Sequence, residues 1–287
     1  MEMPPLAVLD VPLDCSAAGR GEERAPVALR AAGLLERIGG RDAGEADVRI
    51  GDSSRDATTG VVGAAEVRRG ASKIAVCVGD ILAAGERPLV LGGDCTLLLG
   101  IFAALGHGAG LWFVDGHADF FDGRSSPTGE AADMALAILT GHGPPGLLFG
   151  GQPLVAAGDV VLLGHRASDL HPDVALENAR VDPRIHALTA PEIAGNDPGE
   201  VGRQAAARLA GRPAWLHLDL DVLDAEALPA VTYPQPGGLA WEELAALVRP
   251  LVRAPNLIGI SVADFNPDRD PDGSQANHVV ELLESLL

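Results

Sequence analysis

Side chains that bind metals stand at the ends of several apolar runs of this sequence. The segments are GGDC at 92–95, DGHAD at 115–119, GHRASD at 164–169, LDLD at 218–221 and ADFN at 263–266. Within DGHAD, the spacing of Asp115, His117 and Asp119 follows the two-residue period of an extended chain, so the three side chains can point to one side. Asp219 and Asp221 share that spacing.

A metal centre is the chemistry that this pattern predicts. Four carboxylates in one crevice would repel one another unless cations neutralised them. Oxygen-rich ligation with one imidazole favours Mn²⁺ among the common ions, while Mg²⁺ fits less well and Zn²⁺ stays an alternative. A single Asp at a strand end is more often a helix cap or a turn residue, but the repeated pattern favours metal binding.

His217 is the ambiguous member of this region. It stands two residues before Asp219 and shares its side of an extended chain. A single histidine inside a strand is more often a core residue, so we leave it out of the predicted site. The same holds for the histidines that have no partner in the sequence, namely His107, His142, His171, His186 and His278.

The elements that must position these residues alternate between strand and helix. Continuous apolar runs, typical of strands buried on both faces, are RPLVLGG, GLWFVDG, DVVLLGH, AWLHLDL and LIGISVAD, with a shorter strand at 7–9. Helical patterns occupy 26–38, 61–86, 96–106, 133–141, 198–210, 240–253 and 275–286, and residues 40–60 read as a loop with an edge strand. We therefore expect an α/β fold with a mainly parallel sheet, one domain over 1–287, and ligands at the carboxyl ends of the strands.

Composition narrows the class of partner. The formal net charge of -19 argues against nucleic acid and suits a cationic small molecule, although acidity also serves solubility. Three scattered cysteines fit a reducing compartment. The start, MEMPPLAVLD, lacks the basic region of a secretory signal, and no apolar run approaches a membrane span. We expect a soluble cytoplasmic protein with no membrane partner.

The ordered motifs resemble the ureohydrolase family, which includes arginase, agmatinase and formiminoglutamase. GGDCT is close to the family's GGDHS, DGHAD to DAHxD, and DLDVLD to DxDxxD, and the segments AVTYPQPGG and DFNP match later signatures. The resemblance implies a three-layer arginase-like fold with two Mn²⁺ ions bridged by Asp115 and Asp219. It assigns Asp119 and residue 95 to the first metal and His117 and Asp221 to the second. Two such ions would activate water to attack a guanidinium carbon.

Cys95 departs from the family pattern, which has His there. One alternative is a buried cysteine with no function, and with it a dead metal site. The other is a thiolate ligand, which makes Zn²⁺ an option at the Cys95 site. A Cys at this position also distinguishes one branch of the family, which this sequence resembles. That branch hydrolyses Nω-hydroxy-L-arginine to hydroxyurea and L-ornithine in D-cycloserine biosynthesis. An N-hydroxyguanidine is less basic than a guanidinium, which fits a site altered in this way.

The substrate-facing residues also differ from the arginase pattern. Asp264 stands where a longer Glu would hold the guanidinium, and its alternative role is to cap the following turn. In the loop FFDGRSSPTGEAADM, the resemblance implies that Thr128 and Gly129 hold a substrate carboxylate, while Glu130 replaces an Asn. The family's proton-transferring His is missing. Asp133 is the candidate acid, or else the N-cap of a helix that begins at Met134.

These assignments complete the expected site and leave several functions open. Asp119, Asp133 and Asp264 are the expected catalytic residues, and Asp169 is expected to take the substrate α-amino group unless it is only a loop residue. The leading function is hydrolysis of a guanidino C–N bond in an arginine-like amino acid. Alternatives are an arginase, an agmatinase or guanidino-acid hydrolase, and a metal-depleted, non-catalytic binding protein. The resemblance also leaves a homo-oligomer open, since relatives are often trimers or hexamers.

Overall fold

Eight strands join in one parallel sheet in the computed structural model, which describes residues 4–287. Residues 1–3, which belong to the expected domain and to the segment considered as a leader, lie outside the described residues. The sheet order is β2-β1-β3-β8-β7-β4-β5-β6. The strands are β1 Leu6–Val11, β2 Arg41–Glu45, β3 Arg87–Gly92, β4 Gly110–Val114, β5 Val160–His165, β6 His186–Thr189, β7 Ala214–Asp219 and β8 Leu257–Ala263.

Helices cover both faces of the sheet and make two hydrophobic cores. One core packs α3, α4 and α5 on one face, and the other packs α1, α2 and α7 to α10 on the opposite face. This three-layer α/β arrangement confirms the expected fold class. The helices are α1 Ala25–Ala31, α2 Leu34–Ile38, α3 Ala64–Ala83, α4 Leu97–Leu105, α5 Ala135–Leu139, α6 Pro172–Asn178, α7 Ala190–Ala194, α8 Pro198–Arg208, α9 Trp241–Val252 and α10 Ser274–Leu286.

The five long apolar runs are confirmed as β3, β4, β5, β7 and β8, and the edge strand expected within 40–60 is β2. The single helix predicted over 26–38 is wrong. Gly33 adopts a left-handed conformation with φ of 84°, which divides that segment into α1 and α2. The helix predicted over 133–141 is only Ala135–Leu139, preceded by a 3₁₀ turn. Pattern reading also missed β6, α6 and α7, which are short and lack a full amphipathic period.

The order of the strands explains where the polar segments meet. β3, β8, β7 and β4 are consecutive neighbours, and all run in the same direction. Their carboxyl ends therefore lie at one edge, which brings Cys95, Asp115, Asp219 and Asp264 together over one region. Within residues 4–287, none of the helices has the length and apolar character needed to cross a membrane.

Candidate metal centre

An acidic cavity opens at the carboxyl edge of the central strands. The cavity and its mouth enclose about 770 Å³. Of the described residues that line it, ten are Asp or Glu, whereas Arg20 is the single Arg or Lys. The predicted residues among them are Cys95, Asp115, His117, Asp119, Thr128, Glu130, Asp133, Asp219, Asp221 and Asp264. Such a cavity attracts cations of either kind, metal ions or an organic base.

Backbone N–H groups orient three of the carboxylates. The N–H of His117 donates to Asp115 Oδ1 at 2.6 Å, that of Asp221 to Asp219 Oδ1 at 2.8 Å, and that of Gly116 to Asp221 Oδ1 at 2.9 Å. In each case the second oxygen faces another side chain of the cluster. One oxygen thus fixes the carboxylate while the other stays available to a ligand.

Cys95 lies at the centre of one half of the cluster. Its Sγ is 2.9 Å from Asp219 Oδ2 and 3.5 Å from Asp115 Oδ2, and the residue is buried. Burial, together with the neighbouring carboxylates, raises the pKa of the Cys95 thiol well above its usual range. Without a cation, the thiol therefore stays protonated and acts as a hydrogen-bond donor towards the carboxylates.

His217, which the sequence interpretation left in the core, reaches this half of the cluster. Its ring is fully buried, and Nε2 is 3.2 Å from Cys95 Sγ. Burial lowers the pKa of His217 to about 3, so the imidazole is neutral at physiological pH. The signal that could have found it is its shared side of the strand with Asp219.

His117 and Asp221 form the other half. His117 Nδ1 lies 2.7 Å from Asp221 Oδ2. Burial opposes the imidazolium, but Asp221 outweighs it and raises the pKa of His117 to about 10. Burial also opposes the Asp221 carboxylate, yet His117 and Arg166 bring its pKa down to about 2. Glu177 on α6, a residue that the sequence analysis missed, lines the cavity and adds negative charge near His117.

The residues present fit a metal centre of two adjoining parts. Asp119 has a buried Oδ2 with no hydrogen-bond partner, and its φ of 47° is unusual for a residue other than glycine. Burial and mutual repulsion raise the pKa values of Asp115, Asp119 and Asp219 well above normal. Donor atoms of Cys95, Asp115, His217 and Asp219 lie within 4.8 Å of one another, as do those of Asp115, His117 and Asp221. Cations would satisfy the unpaired oxygen and offset the repulsion.

Asp264 faces the cavity and does not cap the turn after β8. Asn266 is the residue that caps this turn, since its side chain accepts from the N–H of Asp268. The alternative role of Asp264 as a cap is therefore wrong. Asp264 Oδ2 accepts from the N–H of Thr232 at 3.3 Å, and its backbone is held at φ of 62°. Burial, followed by the charges of Asp219 and Asp221, raises its pKa well above normal.

Asp133 is likewise not a helix cap. α5 begins at Ala135, and no side chain caps it. Asp133 Oδ2 accepts from Ser126 Oγ and Thr128 Oγ1, both at 2.7 Å, whereas its buried Oδ1 has no partner. Burial raises the pKa of Asp133 to about 6. The carboxyl group can therefore hold or release a proton near neutral pH.

The expected substrate-binding residues divide into two groups. Thr128 and Glu130 line the cavity, and Glu130 forms an ion pair with Arg20, which also hydrogen-bonds Tyr233. Gly129 and Asp169 are not among the lining residues. The N–H of Gly129 donates to Ser126 Oγ, and Asp169 is exposed in the loop after β5.

Arg20, Tyr233 and Glu22 are lining residues that the sequence analysis did not anticipate. Arg20 and Glu22 come from a segment without a recognisable motif, whereas Tyr233 lies within the AVTYPQPGG signature, which carried no expected site residue.

Comparisons with known proteins agree over nearly the whole chain. A family model described as the arginase family matches residues 5–287. An arginase of Brevibacillus brevis is 31% identical over 293 residues, which cover 98% of this chain and 97% of that protein. An arginase of Bacillus caldovelox is 29% identical over 299 residues, with 99% of this chain and 98% of that protein covered.

Solved structures show the same fold. The native structure of the Bacillus caldovelox arginase at pH 5.6 superposes with a TM-score of 0.86 at 27% identity and covers 99% of this chain and 98% of that one. The agmatine ureohydrolase of Thermoplasma volcanium has a TM-score of 0.72 at 20% identity, with 99% and 88% covered. At that identity the second likeness concerns the fold alone.

Proposed function

The chain belongs to the arginase family of metal-dependent hydrolases that act on guanidino C–N bonds, and from this premise we propose that it hydrolyses an arginine-like amino acid with two bound metal ions. The observation that carries the proposal is the buried cluster of Cys95, His117 and four aspartates at the carboxyl edge of the sheet. One half of the ligand set is Cys95, Asp119 and the shared Asp115 and Asp219. The other half is His117 and Asp221 together with the same two shared aspartates. Mn²⁺ is the proposed ion for the centre, with Zn²⁺ as an option at the Cys95 site.

The cavity supports a planar cationic or weakly basic substrate. When bound, the metal ions supply an activated water and neutralise the carboxylates around it. Asp264, buried at the cavity wall, is the residue proposed to hold the guanidine nitrogens. Asp264 Oδ2 already accepts from the N–H of Thr232, so Oδ1 is the oxygen that remains for that contact.

Asp133 is the proposed proton donor to the leaving amine. Water adds to the guanidine carbon, the C–N bond to the amino-acid side chain breaks, and the departing nitrogen takes up a proton to become the amine of ornithine. Asp133 lines the cavity, and its pKa near 6 lets the carboxyl group carry that proton. Ser126 and Thr128 fix its orientation through Oδ2, and the buried Oδ1 has no hydrogen-bond partner in the protein.

We propose Nω-hydroxy-L-arginine as the substrate, with hydroxyurea and L-ornithine as products. Two features support it. A carboxyl arm one methylene shorter, Asp264, leaves room for an added oxygen, and the thiol of Cys95 alters the charge of the metal site. Arginine, which would release urea, is the second candidate because the similar proteins of Brevibacillus brevis and Bacillus caldovelox are named arginases.

Substrates without an α-carboxylate, such as agmatine, fit the cavity less well. Arg20, which pairs with Glu130, supplies a guanidinium at the lining, and this group suits a carboxylate, whereas the Thr128 hydroxyl donates a hydrogen bond to Asp133. Asp169 offers no support for recognition of an α-amino group from its exposed position. The preference for an amino acid therefore depends on Arg20.

A turnover panel tests the proposal. Purified protein is loaded with Mn²⁺, its metals are counted, and it is given arginine, Nω-hydroxyarginine, agmatine and guanidinobutyrate while urea and hydroxyurea are measured. We expect two metal equivalents and the highest kcat/KM with Nω-hydroxyarginine. Equal turnover of arginine would overturn the specialised substrate, and two metals without turnover of any guanidine would overturn the hydrolase function.

The matched control is Cys95→His. If the thiol adjusts the site to the N-hydroxy substrate, this variant should keep two metals and shift its preference towards arginine. An unchanged preference together with unchanged metal affinity would show that Cys95 does not determine the substrate.

A further inference from the structure

Four buried donor atoms surround one point beside β7. Cys95 Sγ lies 2.9 Å from Asp219 Oδ2, 3.2 Å from His217 Nε2 and 3.5 Å from Asp115 Oδ2. All four donor atoms are within 4.8 Å of one another, and none of the four residues is more than 5% exposed. Donors bound to one ion at about 2.0–2.3 Å stand roughly 3–3.7 Å apart, so these separations suit a shared ion.

The ring of His217 is held in the orientation that a ligand needs. Its Nδ1 is 2.8 Å from Ser261 Oγ, on the neighbouring strand β8, and Ser261 is its partner in the sheet register. Trp215 Nε1, which can only donate, contacts the same hydroxyl at 2.9 Å. A hydroxyl accepts two hydrogen bonds, so Nδ1–H can donate to it and leave the Nε2 lone pair facing Cys95.

This is the arrangement found around metal-bound imidazoles, which donate their second N–H to a fixed acceptor. Phe113 packs beside the ring with centroids 5.2 Å apart and limits its rotation. A histidine that served packing alone would not need its Nε2 directed at a thiol and two carboxylates in a fully buried position.

We propose that His217 Nε2 is a direct ligand, with Cys95, Asp115 and Asp219, of the metal at the Cys95 side of the centre. The inference rests on the proposed two-metal site and adds a nitrogen to it. Thiolate, imidazole and carboxylate together form a ligand set that suits Zn²⁺. The opposite side, with His117, Asp221 and shared carboxylates, keeps the oxygen-rich set that suits Mn²⁺. The centre therefore holds two different ions when both are supplied.

X-ray absorption at the zinc edge tests this assignment. The full chain is loaded with one equivalent of Zn²⁺ in excess Mn²⁺, and the ligands around zinc are counted. We expect one sulfur and one imidazole in the same zinc shell. Sulfur without imidazole, or imidazole without sulfur, would overturn the proposal, and this measurement on the unaltered protein does not depend on any variant folding.

Two variants sharpen the result. His217→Leu should remove the imidazole signal from zinc and weaken Zn²⁺ binding at least about 10-fold, and Ser261→Ala should weaken it about 10-fold by freeing the ring. His165→Leu, which removes another buried histidine at the end of β5 outside the cavity lining, is the matched control and should leave both unchanged. Retention of the zinc imidazole signal in folded His217→Leu contradicts the assignment.

The same samples separate this inference from the proposed function. If zinc lacks an imidazole while the protein still holds two metals and hydrolyses a guanidine, the role of His217 is wrong and the hydrolase stands. If the protein binds no metal pair, both fail.

Discussion

The carboxylates of the cavity and the carboxylate of Asp182 share one chemistry but differ in their surroundings. Asp182 lies before β6, towards the amino edge of the sheet. Its two oxygens accept from the Arg184 side chain at 2.9 and 2.6 Å, and His142 adds a contact at 2.9 Å. The Arg184 hydrogen bonds hold the pKa of Asp182 well below its usual range.

In the cavity, burial and mutual repulsion shift the pKa values of carboxylates in the opposite direction, upwards. They raise the pKa values of Asp115, Asp119 and Asp219, and only Asp221 among these metal-site carboxylates is lowered, because His117 and Arg166 lie close. The chain thus supplies the partners of Asp182 itself. The described residues do not supply enough positive charge for the cavity, so that charge is expected from bound cations.

Removing a cavity carboxylate should give the largest effect. Asp219→Asn is expected to lose a shared metal ligand and about 10³-fold or more of turnover, since the ions provide several kcal/mol of transition-state stabilisation. The metal-free variant should melt higher than the metal-free parent, by about 2–4 °C for each kcal/mol of repulsion relieved. Metal analysis and thermal unfolding in chelator measure both.

A lower melting temperature for metal-free Asp219→Asn would contradict the comparison. It would mean that the carboxylate stabilises the fold without any cation, as Asp182 does.

Asp133 is intermediate between Asp182 and the unpaired cavity carboxylates. One of its oxygens has two hydroxyl partners and the other has none. Asp133→Asn should lower kcat by about 10²-fold, as expected for loss of a general acid. With a pKa near 6 the acid form is lost as pH rises, so the parent's kcat should decline on the alkaline side and the variant's decline should disappear. Steady-state pH profiles of kcat for the parent and for Asp133→Asn test this prediction. Thr128→Ser, which keeps the hydroxyl, is the control.

Glu22 extends the comparison to a buried carboxylate outside the proposed ligand set. Burial raises its pKa from 4.5 to about 7, so the folded protein binds the proton more tightly than the unfolded chain does. Between those values the free energy of unfolding should fall as pH rises, on the order of 3 kcal/mol in total. Glu22→Gln should flatten this slope in denaturant titrations of the metal-free protein.

Glu36→Gln is the matched control for Glu22, since Glu36 is an exposed glutamate on α2. A slope that persists in Glu22→Gln would assign it to other groups of the cavity.

Asp182→Asn should give the smallest effect and the opposite sign to Asp219→Asn. We expect a loss of about 1 kcal/mol in the free energy of unfolding, because Arg184 is mostly exposed and water screens the pair. The lowered pKa means that this stabilisation is present above the unfolded value near 3.8 and is lost as pH falls below it. Urea titrations at neutral and acid pH measure both, with exposed Asp173→Asn as the comparison.

The sequence was sufficient for the fold class and the central strands, because each of these strands is a continuous apolar run that ends in polar residues. The same segments place Cys95, Asp115, Asp119 and Asp264 at one edge without knowledge of any long-range contact. The shared side of the strand with Asp219 hinted at His217, but its contacts with Cys95, which follows β3, and with Ser261 on β8 are visible only in the folded chain. The role expected of Asp169 stays a prediction, because a position in an aligned loop does not determine where the loop directs its side chain.

Arg20 and Glu177 show the limit of motif reading in another way. Each reaches the cavity from a segment with no metal-binding pattern, one before α1 and one on the short helix α6. Only the folded chain brings them beside the motif residues.

The strand order also governs how the nascent chain must assemble. β3 and β4 are consecutive in the sequence, yet β7 and β8 lie between them in the sheet. Until the ribosome has released Ala263, the strands made earlier can form only two separate half-sheets, each with an unpaired hydrophobic edge. The centre of the sheet is therefore the last part to form. A chain that ends before β8 would expose two unpaired, aggregation-prone strand edges and would lack the catalytic cavity.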